Sequence, residues 1–78
     1  MYKILITGCT GLVGREVLNT LDTISDKRTC DVLGVDNLLY EDDFLHPCKF
    51  QRGNVGDNSF MHMVIKNYKP THIIHLAG

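Results

Sequence analysis

The sequence predicts an α/β fold built on a parallel sheet. Three observations predict it. Apolar runs of strand length alternate with segments of helical periodicity. The strand runs are continuously apolar rather than alternating, as in strands covered on both faces. The junction between the first strand and the first helix carries three glycines, in ITGCTGLVG over residues 6–14.

The first strand is read over residues 3–6 (KILI), where apolar residues do not alternate. A helix follows from Leu12 to about Thr23. Val13, Val17, Leu21 and Ile24 recur there at near-helical spacing with Leu18 beside them, which makes one apolar stripe. Residues 25–29 (SDKRT) form a polar link. The second strand, 32–36 (VLGVD), ends on an acid. Residues 37–47 are the least regular part, with a solvated acidic turn at 41–43 (EDD) closed by Pro47. A weak third strand spans 49–52 (KFQR). Asp57 caps a helix over 58–68, its carboxylate accepting a first-turn N–H that has no partner within the helix. Phe60, Met61, Val64, Ile65 and Tyr68 supply that helix's buried face, and Pro70 stops it. The fourth strand, 72–76 (HIIHL), leads into Ala77 and Gly78. Strands alternating with helices are joined by right-handed crossovers into a parallel sheet.

A chain of 78 residues buries only ~60–65% of its unfolded surface, so its stability rests on a small core. A net charge of -1, from 8 basic and 9 acidic residues, gives neither a nucleic-acid footprint nor a polybasic membrane patch. No apolar run reaches the length of a membrane span, and the short run before the glycines is too brief for a signal peptide. Three cysteines without CxxC spacing argue against a disulfide framework or a zinc site, and point to the reducing cytoplasm. His72 and His75 lie three apart on a strand and face opposite sides, so no shared metal is expected. Cys9 is read as a small loop-filling side chain rather than a redox thiol.

The glycines lie where a strand becomes a helix, which is the placement a dinucleotide site requires. Gly8 permits a tight turn, Gly11 lets phosphates approach the backbone, and Gly14 lets the helix pack closely. The first-turn amides and the helix dipole then favour a diphosphate. A ligand-free strand-to-helix turn is the competing reading of the same triplet. Asp36 weighs against it, because an acid 22 residues after Gly14 stands where ribose hydroxyls are bound. Its negative charge repels a 2′-phosphate, so NAD is expected over NADP. Arg15 and Arg28 are the nearby features that favour a phosphate.

With these residues in place the chain resembles the extended short-chain dehydrogenase/reductase family, the NAD-dependent epimerase/dehydratase group. TGCTGLVG (7–14) is similar to the family's TGxxGxxG loop, VDNL (35–38) to its strand-two ending, and HLAG (75–78) to the HLAA-type segment after strand four. GNVGD (53–57) resembles its GDxxD segment, with Asn54 in place of the first acid. The resemblance implies a partial Rossmann fold with strand order 3-2-1-4 and helices on both faces. It also implies roles. Gly8, Gly11, Leu12, Val13 and Gly14 would cradle the pyrophosphate, and Asp36 and Asn37 would hold the ribose. Asn54 and Val55 would touch the adenine, an Asn carbonyl still accepting from its amino group. Leu76, Ala77 and Gly78 would line the far side of the cofactor.

The family's catalytic pair, YxxxK, lies beyond strand four. Tyr2, Tyr40 and Tyr68 are followed four residues later by Ile6, Phe44 and His72, so none begins such a pair. The expectation is that residues 1–78 are the N-terminal part of an NAD(P)-binding Rossmann domain, inactive alone. A nucleotide sugar would be the substrate only with the catalytic half supplied. Three alternatives stand beside this reading. A non-catalytic NAD-binding or regulatory module would fold as a monomer or homodimer. A truncated remnant would leave strand four as an exposed edge. A split enzyme would be completed by a second chain.

Overall fold

The computed structural model describes residues 1–24, 29–37 and 48–76. Its elements are β1 (Tyr2–Thr7), α1 (Leu12–Ile24), β2 (Cys30–Asp36), β3 (Lys49–Arg52), α2 (Asn58–Tyr68) and β4 (His72–His75). The strands form one sheet in the order β3-β2-β1-β4, every pair parallel, as the partial Rossmann arrangement requires. The link at 25–28 and the crossover at 38–47, with its acidic turn and Pro47, lie outside the described residues. So do Arg28, Ala77, Gly78 and the side chain of Ile24.

β1 lies between β2 and β4, and its apolar residues are divided between two cores. Leu5, with Leu33 and Val35 of β2, packs under Val64 of α2, flanked by Phe60, Met61 and Tyr68. Ile6 packs with Cys9 and Leu18 of α1 on the other face, flanked by Val17 and Leu21. Two helices on opposite faces explain why the strand reads as an unbroken apolar run. Register places Ile4 opposite His72 and Thr7 opposite His75, so the two histidines fall on opposite faces. No helix among the described residues is long and apolar enough to cross a membrane.

Both helical stripes differ in detail from the sequence reading. Val13 is 63% exposed, whereas Gly14 is buried. The buried stripe of α1 is therefore Gly14, Val17, Leu18 and Leu21, an i, i+3, i+4, i+7 set whose first member has no side chain to reveal it. In α2, Ile65 is 41% exposed while Phe60, Met61, Val64 and Tyr68 face the sheet. A helix lying on a sheet covers only one strip of its circumference, and Ile65 falls at its margin.

The ends of α2 are set locally. Asp57 Oδ1 accepts from the backbone N–H of Ser59 (3.0 Å) and Phe60 (3.3 Å). Lys69 closes the helix in the left-handed region, φ 54°, donating to Ile65 O, and Pro70 follows. At that end of the sheet Asp31 accepts from the Tyr68 hydroxyl (2.8 Å) and Lys49 Nζ (3.2 Å), tying α2 and β3 to β2. Asp57→Ala is expected to cost about 1 kcal/mol and to lower the melting temperature by about 4–8 °C. Thermal unfolding followed by circular dichroism checks this, and an unchanged midpoint would contradict the cap's role.

Candidate functional site

β1 runs into the glycine loop. Gly8 takes φ 73°, a conformation that side chains disfavour. Its N–H donates to Val35 O (2.9 Å), and its carbonyl accepts from Gly11 N–H (3.3 Å). The chain thereby turns back, and α1 opens with Arg15 N–H donating to Gly11 O (3.0 Å). A Cβ on Gly14 would lie 2.4 Å from Gly8 O and 2.7 Å from Cys9 Cα, so the helix rests directly on the loop backbone. A Cβ on Gly11 would meet only Gly8 O, at an ordinary 3.5 Å, and would otherwise project into open space. The N–H groups of the first turn have no acceptors within the helix and carry its positive dipole end.

Asp36 closes β2 beside this loop. Its Oδ2 accepts from Thr10 N–H (3.0 Å) and from the Thr10 hydroxyl (2.5 Å), and its Oδ1 accepts from Asn37 N–H (2.8 Å). Partial burial pushes the carboxyl up, but the three hydrogen bonds from Thr10 and Asn37 outweigh it and hold Asp36 below the usual carboxylate range. The residue is therefore a fixed anion at neutral pH. Asp36 O also accepts from Gly53 N–H (2.9 Å), which brings the segment after β3 alongside. There Asn54 Oδ1 accepts from Gly56 N–H (2.8 Å), and Asn54 O accepts from Asp57 N–H (3.0 Å). On the other flank Thr7 Oγ1 and His75 Nδ1 share a 2.6 Å hydrogen bond, and Leu76 N–H donates to Thr7 O.

These strand tips frame an open cleft of about 500 Å³, a volume within the range of small-molecule sites. Among the expected binding residues, Gly8, Gly11, Asp36, Asn37, Asn54, Val55 and Leu76 line it. Thr10 and Gly56 line it too, and neither is among the residues the motifs point to. The side chain of Leu12 is 86% exposed, and neither Leu12, Val13 nor Gly14 lines the cavity. Gly14 packs against the backbone of Gly8 and Cys9. A hydroxyl side chain within the glycine loop, with an acid ending the next strand, was the available signal for Thr10. The asparagine-x-glycine turn was the signal for Gly56.

Cys9 is fully buried beneath the loop. Burial, and then the negative charge of Asp36, push its thiol up to about 12. It remains a protonated thiol whose sulfur fills the space beside Gly34, where a Cβ would come within 2.7 Å. None of the three cysteines is in a disulfide. Among the described residues no group of three His, Cys, Asp or Glu side chains is arranged to hold a metal ion.

Solved structures share this fold. dTDP-glucose 4,6-dehydratase from Bacillus anthracis str. Ames, solved in complex with NAD, matches with a TM-score of 0.79 at 21% identity, over 100% of this chain and 27% of that one. The enzyme WbmH from Bordetella bronchiseptica, in complex with NAD+, matches with a TM-score of 0.78 at 27% identity, over 100% and 26%. L-threonine dehydrogenase from Clostridium difficile matches with a TM-score of 0.74 at 29% identity, over 97% and 24%. The chain thus spans about a quarter of the length of these structures. No curated protein matches its sequence significantly. The family model that matches covers residues 4–78, nearly the whole chain. On that match, the chain belongs to the NAD dependent epimerase/dehydratase family.

Proposed function

We propose that the chain binds NAD in the strand-tip cavity and forms the cofactor-binding part of an epimerase/dehydratase-like protein acting on a nucleotide sugar. The observation that carries this reading is Asp36. An acid held ionised at neutral pH shares one cavity with Gly8, Thr10 and Gly11 of the loop that leads into α1, so a diol-selective group stands beside backbone suited to an anion. A dinucleotide offers both partners, ribose hydroxyls and a diphosphate.

The strand order sets the order of the subsites. The diphosphate would lie at the tip of β1, against the loop amides of Gly8 to Gly14. The adenosine ribose would lie at the tip of β2, on Asp36 and Asn37. The base would rest beyond β3, against Asn54 and Val55. The nicotinamide half would extend over β4 past Leu76 toward Ala77 and Gly78. The absence of a Cβ at Gly11 leaves the approach to the loop clear, and the acceptor-rich Asp36 suits hydroxyls rather than a 2′-phosphate. That is the basis for NAD over NADP.

Bound NAD would supply a hydride acceptor for a sugar carbon and return the hydride later. The chain's own residues hold and orient the dinucleotide. None of its tyrosines begins a YxxxK pair, so the proton transfer that accompanies hydride exchange needs residues beyond these 78. Three cysteines outside any disulfide, one of them a buried protonated thiol, suit a cytoplasmic setting.

Titration with NAD, followed by amide chemical shifts in a 15N-labelled sample, tests the reading. Residues 7–15 are expected to move most, then Asp36, Asn37 and Asn54. A folded sample in which residues 7–15 stay still would overturn it.

A further inference from the structure

Cys9 follows β1 and Cys48 precedes β3, with β2 between those two strands. Gly34 of β2 lets the two thiols meet. A Cβ at that position would lie 2.7 Å from Cys9 Sγ and 3.7 Å from Cys48 Sγ. Glycine leaves that space open, and both sulfurs converge on it. Both residues belong to the apolar cluster that Leu18 of α1 joins, Cys9 fully buried and Cys48 half-buried at its margin. Cys30 stands apart, opening β2 opposite Tyr2 at the end remote from the glycine loop. By itself Cys9 is a filler of space. Its neighbour across Gly34 is what the spacing of the cysteines along the chain does not reveal.

We propose that Cys9 and Cys48 form a dithiol modification site, which a small-molecule disulfide such as oxidised glutathione converts to an intrachain disulfide. Cys48, the more accessible thiol, reacts first. Its thiolate attacks one sulfur of oxidised glutathione, whose S–S bond breaks and releases one reduced glutathione. Cys9 then gives its proton to water, and its thiolate attacks Cys48 Sγ, releasing the second. Two protein thiols are oxidised and one reagent disulfide is reduced to two thiols, so no other co-reactant is needed. Burial raises both thiols above their ordinary range, and the charges of Asp36 at Cys9 and Asp22 at Cys48 add to it, while Arg15 opposes it at Cys9. The dithiol is therefore the resting form, and exchange is slow at neutral pH and faster in alkali. The bond ties the glycine loop, whose Gly8, Thr10 and Gly11 line the cleft, to the lead into β3.

The test uses wild-type protein, folded by circular dichroism, with oxidised glutathione at about pH 9. Remaining thiols are alkylated and the proteolytic peptides are mapped by mass spectrometry, beside a sample oxidised in urea. The folded sample is expected to give Cys9–Cys48 in about tenfold excess over either pairing with Cys30, because only those two sulfurs are held close. The unfolded chain should favour the pairs nearer in sequence, since closing the longest loop costs the most entropy. Cys30→Ser should leave the Cys9–Cys48 yield unchanged. Oxidation should move the amide signals of Gly8, Thr10 and Gly11, and dithiothreitol should restore them. A folded sample that stops at a glutathione adduct, or that gives the same pairings as the urea sample, would overturn the inference. Amide signals of the loop that stay still in the cross-linked protein would overturn its tie to the cleft.

Discussion

Gly14→Ala is expected to lower the melting temperature by about 10 °C, from an overpacking cost of about 1–3 kcal/mol, and to abolish NAD binding. The methyl group would sit 2.4 Å from Gly8 O and 2.8 Å from Cys9 C. Both are backbone atoms of the loop, so no side chain can swing aside. The helix must lift off the loop, which loosens Leu18 in the core and moves the first-turn amides away from the proposed diphosphate position. Gly11→Ala provides the contrast. Its methyl group would make an ordinary 3.5 Å contact with Gly8 O, so the fold should melt close to wild type. The same methyl group would enter the space proposed for the diphosphate, and binding should be lost. Circular dichroism melting and NAD titration of both variants separate packing from recognition. A Gly14→Ala protein as stable as wild type would show that the helix does not rest on the loop backbone.

Asp36→Ala should weaken NAD binding by about ten- to a hundredfold, the worth of hydrogen bonds to a charged acceptor. It should also erase the preference for NAD over NADP, because the charge that repels a 2′-phosphate is gone. The pH dependence comes from the direction of the shift. Thr10 and Asn37 hold the Asp36 carboxyl below its ordinary value, so its contribution is complete above about pH 4, the unfolded value. It fades only as pH falls through the still lower folded value. NAD affinity should therefore be insensitive to Asp36 from neutral pH to about pH 4 and decline below it. A wild type that binds NADP more tightly than NAD would overturn the assignment of Asp36, and Arg15, whose Nε donates to Thr10 O on the same loop, would become the residue to examine.

Much of this architecture could be read from short stretches of chain. The bounds of α2 come from features a few residues apart: the carboxylate of Asp57, the periodicity of Phe60, Val64 and Tyr68, and the stop at Pro70. Asp36 was recognisable because its distance from the glycines is itself a signal. The parallel sheet and its order 3-2-1-4 followed from strand–helix alternation together with the family likeness.

Other features had no local signature. Thr10 and Asp36 are 26 residues apart, and only the pairing of β1 with β2 brings a loop hydroxyl onto a strand-end carboxylate. Gly14 is a core position that no hydrophobic pattern can show, because the space it fills is defined by backbone from another segment. Val13 and Ile65 are apolar at nearly the right spacing, yet they lie just off the strips that the sheet covers. The sequence by itself determined the elements, their order and the chemical character of the site, since these depend on periodicity, caps and motif spacing. Tertiary structure decided which groups meet at the strand tips and which lone pairs remain for a ligand, because hydrogen bonds between distant segments exist only once the strands have paired.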